Sequence, residues 1–101
     1  AISQLESILA RRPESAFAAQ FLGKFLLEAQ RPTDADRVLT RLADRGQGGP
    51  DALLLLAQAR LQLGRPAEAI LWLEKALLLR PRDTVIQGQL REAKAKQAER
   101  R

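Results

Sequence analysis

The chain has 101 residues, 46% of them apolar and 29% charged, and it contains neither cysteine nor histidine. That is enough for one small domain with a modest core, and it excludes disulfides, thiol and Ser-His-Asp catalysis and nearly every transition-metal site. The formal charge of +5 is uneven: residues 1–90 carry 12 basic and 10 acidic side chains and residues 91–101 carry 5 and 2, so the body is close to neutral and the tail is basic.

Leucine and alanine dominate while β-branched and aromatic residues are few, so an all-α fold is expected. Residues 2–11 read as a helix with Ile2, Leu5, Ile8 and Leu9 inward and Pro13 ending it. Helices over 15–29 and 33–45 follow, and Thr33 with Asp36 three residues later has the form of a capping box. The Gly46-Gln47-Gly48-Gly49 link is expected to be the most mobile joint. Residues 51–63 and 67–79 form a helical hairpin. Leu53, Leu56, Ala57, Arg60 and Leu63 recur at helical spacing in its first arm, and Ala69, Ile70, Leu73, Ala76 and Leu77 in its second. Gly64 closes the first arm, Pro66 suits the first turn of the second, and Pro81 stops it. Asp83 is placed to N-cap a last helix from about Thr84.

One hairpin cannot bury both of its faces, and a period of 34 residues supplies its neighbours. Moved back by that period, residues 50–83 fall on 16–49: Leu56 on Leu22, Arg65-Pro66 on Arg31-Pro32, Ala69 on Ala35, and Leu73 on Leu39. A second step takes Leu73 to Leu5, and a forward step puts Leu90 where Leu56 stood. In this pattern the chain resembles the tetratricopeptide repeat, a 34-residue helix-turn-helix with small residues at its helix crossings. With Pro50 as repeat position 1, the residues that carry the resemblance are Leu53, Leu56-Ala57, Gly64, Ala69, Leu73, Ala76 and Pro81; Leu22-Gly23, Ala35 and Leu39 match in the preceding repeat. Arg60 stands where the family usually has tyrosine, Leu42 where it has alanine, and Gln47 where it has proline.

The resemblance implies an α-solenoid of antiparallel helix pairs, with five helices in a right-handed superhelix. The boundaries are 1–15 for the second helix of a partial repeat, 16–49 and 50–83 for two full repeats, and 84–101 for a capping helix. It implies a non-catalytic interaction module with no cofactor, binding a protein or peptide in a concave groove lined by the first helix of each repeat. Carried over position by position, the groove comprises Phe17, Gln20, Phe21, Lys24, Leu27 and Glu28, then Asp51, Leu54, Leu55, Gln58, Leu61 and Gln62, then Val85, Gly88, Gln89, Glu92, Ala95 and Lys96. The partner-binding candidates are Phe17, Gln20, Phe21, Lys24, Leu54, Gln58, Leu61 and Gln62, whose amides suit peptide backbone and whose apolar groups supply area; the competing role of the leucines is packing within the array. Of the basic clamp with which some members hold a terminal carboxylate, only Lys24 is present, so chaperone tails are not expected as ligands.

Phe25 is expected in the core, and Trp72 against the final helix. Asp34, Asp36, Glu68 and Glu74 are read as structural rather than acid/base residues, the first three at helix starts. The glycine link lacks the following Lys-Ser/Thr of a phosphate loop. With only Arg91, Lys94, Lys96, Arg100 and Arg101 as a basic run and no basic face on the body, nucleic acid or membrane contact through the tail ranks below the capping role. The longest apolar run, Ala52 to Ala57, is too short to span a bilayer. Because the pattern starts at repeat position 20, residues 2–11 are expected to show an apolar edge, covered by a second copy in a homo-oligomer or by the rest of a longer array.

Overall fold

The computed structural model of the protein describes residues 1–99. The described residues form helices and no strand: α1 (Ile2–Arg11), α2 (Ala16–Glu28), α3 (Pro32–Asp44), α4 (Gly49–Gln62), α5 (Pro66–Leu79) and α6 (Thr84–Glu99). The helices number six rather than the expected five; the ranges read from the sequence, 2–11, 15–29, 33–45, 51–63, 67–79 and a last helix from Thr84, themselves make six.

The helix ends show why the chain breaks where it does. Ser15 Oγ accepts from the Ala18 amide at 3.2 Å and caps α2, and Asp83 Oδ1 accepts from Val85 and Ile86 at 2.9 and 3.1 Å, capping α6 as expected. α3, α4 and α5 instead open with proline in the first turn, where a missing N–H leaves no bond unmade. The capping box at Thr33 is not formed. α3 begins one residue earlier than expected, with Arg31 as N-cap, and Asp36 accepts hydrogen bonds from Thr40 and Arg60 instead. The first of each matched pair of helices ends in a Schellman turn: Gly64 N–H to Leu61 and Arg65 N–H to Arg60 after α4, Gln30 N–H to Leu27 and Arg31 N–H to Leu26 after α2. Both Gly64 (φ 75°) and Gln30 (φ 61°) occupy the left-handed region.

The core lies in two clusters. The first joins α2, α3 and α4 through Leu22, Leu26, Leu39, Leu42, Ala52 and Leu56; the second joins α4, α5 and α6 through Ala57, Ala69, Leu73, Ala76, Ile86 and Leu90. α4 serves both because its apolar residues run around its whole circumference. Each helix packs against its sequence neighbours, and α2 also reaches α4, which leaves a body of 43 × 26 × 19 Å. Close approach explains the small residues. A Cβ on Gly23 would stand 2.5 Å from the Leu39 side chain, so α2 and α3 meet at a distance that only glycine permits without movement.

Two packing expectations need correction. Ile8 is 41% exposed rather than inward; α1 packs through Ile2, Leu5 and Leu9, which half-bury against the first cluster. Leu27, read as groove lining, is buried in that cluster, because it falls on the α3 side of its helix. Trp72, expected against the final helix, packs against both clusters, the second of which includes Ile86, Leu90 and Ala93 of α6, and the cleft beside it is lined by Ala43, Gly49 and Leu53 of the preceding elements.

Candidate functional site

α2, α4 and α6 are the first helices of successive pairs, and the eight candidate residues fall on two of them. On α2, Phe17 is 69% exposed and its ring centroid lies 4.7 Å from that of Phe21, which lies 6.4 Å from half-buried Phe25. Gln20 is half-buried beside them and Lys24 is exposed. On α4, Gln62 is exposed, while Leu54, Gln58 and Leu61 are half-buried. Leu54 and Leu61 rest against the second core cluster, so each divides its surface between packing and solvent.

The structure brings three of the eight together. Gln58, Leu61 and Gln62 line a cleft of about 230 Å³ with Gln89, Glu92 and Lys96 of α6. The amide of Gln89 carries the electrostatic asymmetry of this cleft. Its Oε1 is buried and accepts no hydrogen bond, a state that costs free energy until a donor arrives. Lys96 lies 3.9 Å from Glu92, one turn away, so the charges at the mouth offset each other and the floor is left to three amides and a leucine. An adjoining cleft of about 260 Å³ shares Leu61 and Lys96. The phenylalanines of α2 do not line either cleft; they form a separate aromatic ledge on a helix that touches α4.

Helix pairs joined by short corners, a 34-residue period, small residues at the crossings and stacking of each helix on its neighbours in sequence meet here in one chain. The family profile described as tetratricopeptide repeat matches residues 22–84, more than half of the sequence. The chain belongs to the tetratricopeptide repeat family. No curated protein matches the chain. Tetratricopeptide repeats are generally protein–protein interaction modules rather than catalysts, and their function resides in what the surface presents, since one fold hosts many partners.

Two departures from the repeat pattern have visible consequences. Arg60, in place of the usual tyrosine, is only 14% exposed; its Nε donates to Asp36 at 2.7 Å, a second nitrogen to Thr40 at 3.2 Å, and a third lies 3.3 Å from Glu68. It therefore ties α3, α4 and α5 together where an aromatic ring would have packed. Asp34 pairs with Arg31 at 2.8 Å, so these acids are consumed by structural contacts. The second departure is in the charge. The body is near neutral as a sum, but its charge is segregated. Arg37, Arg41 and Arg45 follow one another at i, i+4 along the exposed side of α3, and among the described residues none of them forms an ion pair. The i, i+4 arginine spacing was present in the sequence as a signal; summing charge over long segments hid it. Arg91 and Lys94 are exposed on α6, and Arg100 and Arg101 of the basic tail lie outside the described residues.

Proposed function

We propose that this tetratricopeptide repeat protein is a non-catalytic scaffold that takes an extended peptide, or an extended segment of a partner protein, along the faces of α2, α4 and α6. Phe17 and Phe21 supply apolar anchorage with Gln20 and Lys24 beside them, Leu54 and Leu61 continue the apolar floor, and Gln58 and Gln62 with Gln89 pair with ligand backbone. In this reading residues 16–49 and 50–83 are the two full repeats of a single right-handed domain, flanked by 1–15 and 84–101. The observation that supports it is the Gln89 carbonyl oxygen, buried and without a donor in a cleft otherwise made of amides. A peptide N–H would meet that need, and neighbouring amides would read the same strand of backbone.

The test is affinity capture from the native lysate with the intact chain and a Phe21→Ala/Leu54→Ala/Gln58→Ala variant side by side. Loss of the captured partner with unchanged helical content supports the groove. Equal capture by both sinks it. A second reading, self-association through residues 2–11, draws on the exposed Ile8 side chain; a sedimentation coefficient that stays monomeric as concentration rises removes it.

A further inference from the structure

The α1–α3–α5 side of the molecule carries a second pair of clefts, and they repeat with the chain. One, of about 120 Å³, lies between α1, α2 and α3, with Leu9, Ala19, Val38 and Leu42 as its apolar wall and Arg41 and Arg45 at its rim. The other, of about 210 Å³, lies between α3, α4 and α5 and is lined by Ala43, Leu53, Trp72, Lys75 and Leu79. Seven positions correspond at the 34-residue period, among them Leu9 with Ala43, Ala19 with Leu53, Val38 with Trp72, Arg41 with Lys75, and Arg45 with Leu79. Each cleft thus has an apolar floor and a cation at the same point of its edge.

We propose that this face is a second docking surface, for an acidic segment of a partner protein that seats one aliphatic side chain in each cleft and sets carboxylates against Arg41 and Lys75. The charges favour that occupant. Among the described residues neither Arg41 nor Lys75 has a carboxylate partner; Lys75 is held over the Trp72 ring, 4.7 Å from its centroid, and Arg45 spends one N–H on the Pro13 carbonyl at 2.8 Å, which fixes the rim. Arg37 extends the positive stripe one turn further along α3. Beside the second cleft Leu78 is 81% exposed, and Leu71 and Leu79 are also exposed, giving apolar area broken by one carboxylate, the exposed Glu74 between Leu71 and Leu78. A nucleic acid would find phosphate partners, but no aromatic side chain lines the first cleft to stack a base.

The surface is distinct from the α2–α4–α6 groove, so its test separates from the earlier one. The probe is a fluorescein-labelled peptide of Leu-Glu-Glu repeats, titrated with the full chain and read by anisotropy. Comparison arms are Leu-Lys-Lys repeats, a glutamate-only peptide, a single-stranded oligonucleotide and phosphatidylserine vesicles. Binding of the Leu-Glu-Glu peptide is expected to exceed that of every other arm. It should weaken about tenfold or more in Arg41→Glu/Lys75→Glu and persist in the Phe21→Ala/Leu54→Ala/Gln58→Ala variant. Arg41→Gln/Lys75→Gln, which removes charge without reversing it, keeps the test informative if the reversal disturbs folding. The proposal is overturned by absent binding of the Leu-Glu-Glu peptide, by binding indifferent to both double variants, by binding lost with the groove residues, or by equal binding of the oligonucleotide or vesicles.

Discussion

Arg60 shows how one side chain redirects its surroundings. A largely covered guanidinium needs several partners at once; Asp36 and Thr40 of α3 accept its hydrogen bonds, and the Glu68 carboxylate of α5 lies 3.3 Å away as a further counter-charge. Arg60→Ala leaves Asp36, itself only one-fifth exposed, without its strongest donor, and is expected to cost about 1–3 kcal/mol in urea unfolding. A double-mutant cycle with Asp36→Ala should return a coupling of about 1 kcal/mol or more; additive losses would show the pair to be incidental. The sequence marked Arg60 as a departure from the repeat but did not reveal its partners, because Asp36 was assigned to a helix cap. Local rules compete at such residues: Thr33 and Asp36 have the spacing of a capping box, and a long-range guanidinium outbid it. Gln58, Leu61 and Gln62, which line one cleft, could be picked out by counting along the repeat, whereas the unfilled Gln89 acceptor depends on packing that no spacing encodes.

At the scale of the helix, the period made most element boundaries readable to within one or two residues, since proline starts and left-handed stops are local chemistry. The chain uses the same stop after α2 and α4, but with different residues. Gly64 enters the left-handed region at no steric cost, while Gln30, its counterpart 34 residues earlier, carries a Cβ into it. Gln30→Gly is therefore expected to stabilise the fold by about 1 kcal/mol, raising the thermal midpoint by roughly 4–8 °C for a domain of this size. The reverse change, Gly64→Gln, should lower it; an unchanged midpoint in both would mean that the turn geometry is not what ends these helices. What helix-level reasoning could not resolve was the orientation of marginal residues. Leu27 and Ile8 each sit near the border of an apolar stripe, where a small rotation of the helix decides between core and solvent.

Across the whole molecule, stacking of neighbours makes stability a local property. α1 contributes no fully buried residue, whereas α4 has buried residues in both core clusters and α5 three in the second, with Trp72 against both. Amide exchange under native conditions should be fastest in α1 and slowest in α4 and α5. A single uniform protection factor across all six helices would instead mean that the array opens only as a unit. The overall architecture was legible before any coordinate because the period reports it directly. The α1–α3–α5 clefts were not, because they are assembled from residues of three helices that no single stretch of sequence sets side by side.

Trp72 is the chain's one tryptophan, and it rests against both core clusters at once. Its indole therefore gives the molecule a built-in optical gauge. Parting of the two clusters wets the ring, so the emission spectrum tracks that seam even while total helix content stays constant.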